Sequence, residues 1–346
     1  MRILHIFDKA CFGVYEKTIS ELVMALGDYR HEKVEQGAYA PFDADFGELP
    51  ELIPFERYKP SFWSGKVQAS RAAARFAPDA VIKWGAGAQK FSPEGNFITL
   101  SFVGAPNEVK PVPKSDYVIA NSESILAHVK TRGFSGAKSF LLQSFAYDYK
   151  DVEPITKQSL FIPEHAQVIY MAGTLLEGIG FEWALESMAS VPNVYFIISG
   201  RGRDEGYITN FASNVNIRSR TRIVREVPKS GRLLEISDLA LLPFSESAVV
   251  KSMIEASLAR KPIITTRNQY SADYITDGVN GIAVKEKDTY LLKKACREVL
   301  AGEFDADTAQ RALDTARGYQ EAAAIAGLLS NIQLLSDKYR TRRNLL

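Results

Sequence analysis

The segment from Leu241 to Val284 contains the side chains whose types and spacing could do chemistry. Its letters, LLPFSESAVVKSMIEASLARKPIITTRNQYSADYITDGVNGIAV, predict a strand, a small polar loop, a helix, a second strand, a second helix and a glycine-bearing turn. A helix that begins directly after a strand points free backbone N–H groups and its positive dipole end at one place, which favours a bound phosphate. The carboxylates of Glu246 and Glu255 flank this junction and could bind hydroxyl groups. Diphosphate and sugar hydroxyls together describe a nucleotide sugar.

The same segment resembles the donor-binding part of the family 4 retaining glycosyltransferases, which have the two-domain GT-B fold. The resemblance rests on Pro243 and Glu246, Glu255-Ala256, Lys261-Pro262-Ile263-Ile264 and Asp277-Gly278-Val279-Asn280-Gly281. The family separates its two glutamates by seven residues, whereas eight separate Glu246 from Glu255 and Ser247 occupies the expected place. Either the loop carries one extra residue or the first glutamate is lost.

The resemblance implies a role for each part of this junction. It assigns the donor diphosphate to the backbone amides of Ser247, Ala248, Val249 and Val250. By the same resemblance Glu255 binds the nucleotide ribose. Glu246 would be the catalytic carboxylate, facing the transferred sugar and stabilising positive charge at the anomeric carbon.

The family also carries an arginine and a lysine that neutralise the diphosphate, and these two charges are missing here. Thr174 and Ile179 stand at the matching positions. A diphosphate that leaves without cationic help loses a large electrostatic stabilisation. Arg201 and Arg203, in the glycine-rich SGRGRDEG stretch, are the alternative cations. The competing interpretation of that stretch is a solvated turn.

Two further donor-binding positions follow from the resemblance. Gly13 is the one glycine left where the family has a glycine-rich loop after its first strand, and it could let the backbone approach the donor. The alternative is an ordinary turn glycine. Val227, in Arg225-Glu226-Val227, replaces the family's turn near the nucleotide base, where backbone groups could still contact the base.

No metal site is predicted. The two Asp-x-Asp tripeptides, Asp43 to Asp45 and Asp305 to Asp307, lie in a loop and at a helix start rather than at the end of a buried strand. We therefore expect metal-independent transfer, without a cofactor, from a nucleotide-diphosphate sugar of the UDP or GDP type.

The composition of the chain limits its partners and its compartment. Its 346 residues, of which 46% are hydrophobic, favour two domains, and the net charge of +1 gives no reason to expect nucleic acid as a partner. Cys11 and Cys296 are far apart in sequence, which fits a reducing compartment. No apolar run is long enough to span a membrane. We expect a cytoplasmic protein with at most peripheral membrane contact, at the inner face, with the basic C-terminal stretch DKYRTRRNLL either solvated or against anionic lipid.

Short apolar runs alternate with helical stripes in both halves of the chain, which indicates parallel sheets with crossover helices. The fold class expected is α/β of the GT-B type, two doubly wound Rossmann-like domains facing across a cleft. We place an acceptor-side domain at residues 1–150 and a nucleotide-sugar-binding domain at 151–317. The sequence predicts almost continuous helix from Thr308 to Arg340, and residues 318–346 would form a C-terminal helix that crosses back to the first domain. The strands predicted are Ile3 to Phe7, Ala80 to Trp84, Phe97 to Phe102, Tyr117 to Ala120, Phe140 to Leu142, Val168 to Ala172, Tyr195 to Ser199, Leu239 to Pro243 and Ile263 to Thr265.

The leading hypothesis is a retaining, hexosyltransferase-like glycosyltransferase whose acceptor is an envelope glycan, a lipid-linked sugar or a similar molecule. The alternative is a non-catalytic GT-B protein that has kept a degenerate donor site and serves as a binding or assembly subunit. The substitutions at Thr174 and Ile179 favour the alternative. A nucleotide-sugar epimerase is a third hypothesis, against which the Asp277 to Gly281 signature argues.

Overall fold

The computed structural model describes residues 1–8, 15–41, 46, 49–58, 62–88, 93–105, 108, 115–134, 138–148, 152–225, 229–246 and 248–344. The chain forms two compact units. The first consists of Met1–Tyr147 with Glu321–Leu346, and the second of Asp148–Gln320. Each unit is organised around a sheet of its own.

The first unit is built on a seven-stranded sheet in which all neighbouring strands are parallel. The strands are β1 (Arg2–Phe7), β2 (Glu35–Pro41), β3 (Phe55–Tyr58), β4 (Ala80–Trp84), β5 (Ile98–Val103), β6 (Tyr117–Ala120) and β7 (Ser139–Leu141). Their order is β3-β2-β1-β4-β5-β6-β7, so the chain winds from the middle to one edge and then to the other. This is the doubly wound arrangement that the sequence predicted.

The connections of the first unit are helical where the sequence shows a 3.6-residue period. The helices are α1 (Glu16–Asp28), α2 (Leu49–Leu52), α3 (Phe62–Phe76), α4 (Gly85–Ala88) and α5 (Glu123–Thr131). The apolar stripe of α1, from Ile19 to Leu26, is buried in the core beneath the sheet. Ser122 caps α5, because its hydroxyl accepts a hydrogen bond from the Ile125 N–H at 3.3 Å.

The second unit contains a six-stranded parallel sheet. Its strands are β8 (Gln167–Ala172), β9 (Val194–Ser199), β10 (Thr221–Val224), β11 (Leu239–Leu242), β12 (Ile263–Thr266) and β13 (Ile282–Val284). The order is β10-β9-β8-β11-β12-β13. The loops that follow β9, β8 and β11 therefore leave three neighbouring strands at the same edge of the sheet.

Six helices connect the strands of the second unit and complete it. They are α6 (Phe181–Met188), α7 (Glu205–Asn214), α8 (Ser230–Glu235), α9 (Val249–Leu258), α10 (Thr289–Leu300) and α11 (Ala306–Ala316). Helix α9 is buried on every side from Val249 to Ser257. A helix that is buried all round is normally apolar throughout, so the charged residues that it contains require an explanation.

The last helix, α12 (Glu321–Asn344), packs within the first unit. Ile325 and Ile332 on α12 belong to the same core cluster as the apolar face of α1. The sequence predicted almost continuous helix from Thr308 to Arg340, but α11 ends at Ala316 and α12 begins only at Glu321. Gly318 follows the end of α11, where a glycine commonly terminates a helix. Among the described residues, no helix has both the length and the apolar character needed to cross a lipid bilayer.

Four strands were not predicted, and each has a physical reason to be inconspicuous. The strand β2 contains Gly37 and Pro41, two residue types that are poor strand formers. The strands β3, β10 and β13 all lie at edges of their sheets. An edge strand is short and partly solvated, so it lacks the continuous apolar run of a central parallel strand.

Candidate functional site

Three loops of the second unit come together at the carboxyl edge of its sheet. Residues 173–180 follow β8, residues 200–204 follow β9, and residues 243–248 follow β11. The Leu175 N–H donates to the Arg201 carbonyl at 2.9 Å, and the Ser245 N–H donates to the Ile179 carbonyl at 3.1 Å. The loop after β8 is thus hydrogen-bonded to both of its neighbours. This edge is where open α/β sheets bind their ligands.

Glycines permit this close packing of backbone on backbone. A Cβ on Gly200 would lie 2.1 Å from the Gly173 carbonyl oxygen, and one on Gly180 would lie 2.4 Å from the Pro243 carbonyl oxygen. Both glycines also have positive φ angles, +151° and +138°, which residues with side chains rarely adopt. The two positions accept only glycine, because any side chain would push neighbouring loops apart.

The predicted catalytic residue Glu246 lies where these loops meet. Its Oε1 accepts a hydrogen bond from the Thr174 backbone N–H at 3.0 Å, and the Thr174 hydroxyl is a second partner. Burial raises the pKa of Glu246 from 4.5 to about 6, and the two bonds from Thr174 oppose this rise. The loop after β11 therefore does carry a glutamate at the site. Near neutral pH this carboxylate is mostly ionised, but it takes up a proton at a higher pH than an exposed glutamate does.

The predicted phosphate-binding residues surround the start of α9. Ala248 precedes the helix, and Val249 and Val250 are its first two residues. The Val249 N–H donates to the Glu246 carbonyl at 3.2 Å, which joins the loop after β11 to the helix. Ala248, at the N-cap, makes no side-chain capping bond to this helix end. Ser247 lies outside the described residues.

Glu255 and Lys251 share one face of α9, one turn apart. Glu255, the predicted ribose ligand, is only 8% exposed, and Lys251 in the first turn is 6% exposed. The sequence analysis missed Lys251. Its spacing four residues before Glu255 was the available signal, because residues i and i+4 are neighbours on a helix. A buried lysine therefore lies in the first turn of the helix whose start is the predicted phosphate position.

The two arginines predicted to compensate for missing charge are placed differently from each other. The Nε of Arg201 donates to the Arg225 carbonyl at 3.1 Å, just beyond β10. Arg203 extends into solvent, with its side chain 84% exposed, and pairs with the adjacent Asp204 at 3.6 Å. In the sheet, β10 and β11 are separated by β9 and β8. The hydrogen bond from Arg201 to the residue after β10 is therefore made on the side away from the loop after β11.

Thr174 is buried at the loop after β8, whereas Gly13 and Val227 lie outside the described residues. Asp305 caps α11, accepting a hydrogen bond from the Asp307 N–H at 3.0 Å, as the capping interpretation predicted. The other Asp-x-Asp tripeptide lies outside the described residues. In the part of the chain that the structure describes, no group of three or more His, Cys, Asp or Glu side chains could hold a metal ion.

Known proteins are similar to this chain in sequence. Residues 152–318 match the family model described as glycosyl transferases group 1, a span that nearly coincides with the second unit. The chain is also 22% identical, over 275 residues, to the lipopolysaccharide core biosynthesis glycosyltransferase LpsE of Rhizobium meliloti (strain 1021). That alignment covers 79% of this chain and 80% of LpsE.

Solved structures give the fold of the whole chain. The structure of Anabaena HepE in complex with UDP and glucose has a TM-score of 0.74 at 15% identity, covering 95% of this chain and 98% of HepE. WaaG, a glycosyltransferase involved in lipopolysaccharide biosynthesis, has a TM-score of 0.71 at 16% identity, covering 96% of this chain and 99% of WaaG. The prediction of a GT-B fold with two Rossmann-like parallel-sheet domains is confirmed.

Proposed function

We propose that this protein is a retaining, metal-independent glycosyltransferase that moves a hexose from a nucleotide-diphosphate sugar to an envelope glycan or a lipid-linked sugar. The observation that carries the proposal is a coincidence of position. The glycosyl transferases group 1 match covers residues 152–318, and within that span three loops pack around one partly buried carboxylate, Glu246. The envelope acceptor is suggested by the roles of LpsE and WaaG in lipopolysaccharide biosynthesis.

In this proposal each part of the site acts on one part of the donor. The start of α9 binds the diphosphate through the backbone amides of residues 247–250. Glu255 binds the ribose hydroxyls, and Glu246 lies against the transferred sugar. The acceptor hydroxyl attacks from the face that the diphosphate leaves, so catalysis depends on positioning and on stabilising the leaving group.

The cation for the leaving diphosphate is, in this proposal, Lys251. Thr174 and Ile179 supply no charge, Arg203 points into solvent, and Arg201 bonds towards β10. Lys251 is buried in the first turn of α9, where its ammonium charge and the helix dipole have the same sign. A charge in a buried site is weakly screened and therefore acts strongly on a bound phosphate.

The proposed compartment is the cytoplasm. Cys296 is a buried free thiol, which is compatible with a reducing compartment. Burial also raises the pKa of this thiol far above its usual value, so it is not a reactive nucleophile.

Calorimetric titration tests the donor site directly. The protein is titrated with UDP, GDP and ADP and with their common sugar conjugates. We expect one nucleotide to bind with micromolar affinity and Glu255→Gln to weaken it by about 10- to 100-fold, the worth of a charged hydrogen bond. Glu298→Gln, on the outer face of α10, is the matched control and should bind as the unmodified protein does. Absence of binding by all of the nucleotides would contradict the proposal.

The second candidate function is a non-catalytic GT-B subunit. It is favoured by Thr174, whose amide and hydroxyl engage Glu246 at the position where the resembling family has an arginine. Thr174→Arg combined with Ile179→Lys distinguishes the two. If absence of these charges has silenced the site, the double variant should release nucleotide from a donor that the unmodified protein binds but does not turn over. An unmodified protein that already transfers sugar excludes the second candidate.

A further inference from the structure

An exposed phenyl ring stands on a left-handed backbone at one end of the second sheet. Phe161 ends the short 3₁₀ turn Gln158–Leu160 with φ 54° and ψ 41°, and it is 84% exposed. The left-handed conformation costs a residue with a side chain about 1–2 kcal/mol. Such an outlier persists only where the surrounding structure holds it, and it often marks a function.

Arg222, on the edge strand β10, holds this conformation in place. Its Nε donates to the Leu160 carbonyl at 2.6 Å, and its Nη2 donates to the Phe161 carbonyl at 2.7 Å. The same guanidinium lies over the ring of Tyr195, 5.7 Å from its centroid. Arg222 thus holds the backbone of the turn, while the phenyl ring of Phe161 is exposed to solvent.

Four cationic residues lie on the two segments that meet here, Lys157 beside the 3₁₀ turn and Arg218, Arg220 and Arg222 at the start of β10, and they donate to backbone carbonyls. Arg218 donates to the Thr221 carbonyl, Arg220 to three carbonyls between residues 189 and 194, and Lys157 to the carbonyls of residues 164 and 166. Carbonyls carry only partial charges, so these hydrogen bonds do not neutralise the four side chains. We call this surface the basic edge; it consists of Lys157, Phe161, Arg218, Arg220 and Arg222.

Protection of the edge strand explains only part of this arrangement. Charged side chains at an edge prevent another strand from pairing with it, so the arginines alone could serve that purpose. A large exposed phenyl ring has the opposite effect, because it adds an apolar contact at the same edge. A partner that is complementary to both the ring and the cations must offer negative charge beside an apolar region.

We propose that the basic edge is a docking surface for an anionic phospholipid bilayer. Arginine and lysine charges match lipid phosphates, and each is worth about 1 kcal/mol near an anionic membrane surface. The Phe161 ring is free to enter the boundary between headgroups and acyl chains, where aromatic residues anchor interfacial proteins. Only the purpose of docking, delivery of the second unit to a lipid-linked acceptor, rests on the proposed function.

Vesicle binding of the full chain tests the ring with a substitution that respects the backbone. Sedimentation is measured with vesicles of phosphatidylcholine alone and of phosphatidylcholine with phosphatidylglycerol. Phe161→Asn removes the ring but suits the left-handed conformation, which Asn adopts readily. We expect binding to the anionic vesicles to weaken at least tenfold, with the thermal unfolding midpoint unchanged or raised.

Tyr290→Asn is the matched control. Tyr290 is 74% exposed on α10, which packs against β11, β12 and β13 and therefore lies away from β10. Removal of this ring should leave vesicle binding unchanged. Equal losses for both variants would mean that any exposed aromatic contributes, which would overturn the assignment to the basic edge.

The charge contribution is tested by Arg218→Gln, which keeps a hydrogen-bond donor. The affinity of this variant for anionic vesicles should be about fivefold lower than that of the unmodified protein. Added salt should weaken the binding of the unmodified protein to the same vesicles. Equal binding to both vesicle types would overturn the proposal, and so would tighter binding to single-stranded DNA than to anionic vesicles. Nucleotide binding is measured separately, so failure of the donor site and failure of lipid docking give different results.

Discussion

The backbone N–H of Thr174 donates a hydrogen bond to Oε1 of Glu246 at 3.0 Å, across 72 residues of sequence. This bond joins the loop after β8 to the loop after β11. It fixes the carboxylate at the meeting point of three loops. It also partly offsets the cost of burying a charge there.

Glu246→Gln should stabilise the protein at alkaline pH and abolish its activity. Burial raises the pKa of Glu246 in the folded state from 4.5 to about 6, so the folded protein binds the proton more tightly than the unfolded chain. Stability linked to this group is therefore present below pH 4.5 and is lost as the pH rises through 6, by up to about 2 kcal/mol. Urea unfolding at pH 4 and pH 8 measures the difference between the two proteins.

The same substitution gives a kinetic signature. Transfer by the unmodified protein should decline as the pH falls through about 6, because the protonated carboxyl no longer stabilises positive charge on the sugar. Glu298→Gln should alter neither profile. A variant Glu246→Gln with full activity would contradict the catalytic role.

Lys251→Met should weaken binding of a nucleoside diphosphate without weakening binding of the corresponding nucleoside. Methionine keeps the length of the side chain but removes its charge, and a charged hydrogen bond to phosphate is worth about 1.5–3 kcal/mol. We therefore expect a loss of about 10- to 100-fold in the diphosphate affinity by calorimetry. Lys294→Met, an exposed residue of α10 paired with Glu298, is the control. Equal losses for nucleoside and diphosphate would indicate general damage to α9 rather than a phosphate contact.

Gly200→Ala should destabilise the second unit by about 3 kcal/mol or more. A methyl group there would meet the Gly173 carbonyl oxygen at 2.1 Å, and the backbone conformation is one that alanine rarely adopts. Gly206→Ala in α7 is the matched control, because nothing lies within 4 Å of its added methyl group. The control should raise stability by about 0.5–1 kcal/mol. Similar thermal midpoints for the two variants would show that the loops can separate.

His5 should make the first unit sensitive to acid. It is fully buried, accepts a hydrogen bond from the Trp84 indole N–H at 3.1 Å, and lies 3.2 Å from Gln36. Burial lowers its pKa from 6.5 to about 4. The unfolded chain therefore takes up a proton first, so stability is lost as the pH falls from 6.5 to 4, by about 3 kcal/mol.

The measurement compares urea unfolding of the unmodified protein and His5→Gln at pH 7, 5.5 and 4. The variant should be less stable at pH 7, because Gln cannot satisfy both partners as well, but its stability should change less between pH 7 and pH 4. Parallel pH curves for the two proteins would exclude His5 as the titrating group.

Much of the architecture could be predicted because the relevant signals are local. A central parallel strand such as β11 is a continuous apolar run, and a helix such as α1 shows its buried stripe in the spacing of Ile19 and Leu26. The edge strands β3, β10 and β13 gave no such signal. The break between α11 and α12 was also missed, because Ala-rich sequence on both sides of Gly318 favours helix equally well.

The sequence by itself determined that two doubly wound sheets would form and that a strand, a loop and a helix would join at Glu246, because period and turn chemistry act over a few residues. Only the tertiary structure decided what each polar group contacts. It gave Glu246 the Thr174 amide, buried Lys251 beside Glu255, and directed Arg201 towards β10. Those partners come from strands far apart in the chain, and the desolvation that sets their charges depends on every element packed around them.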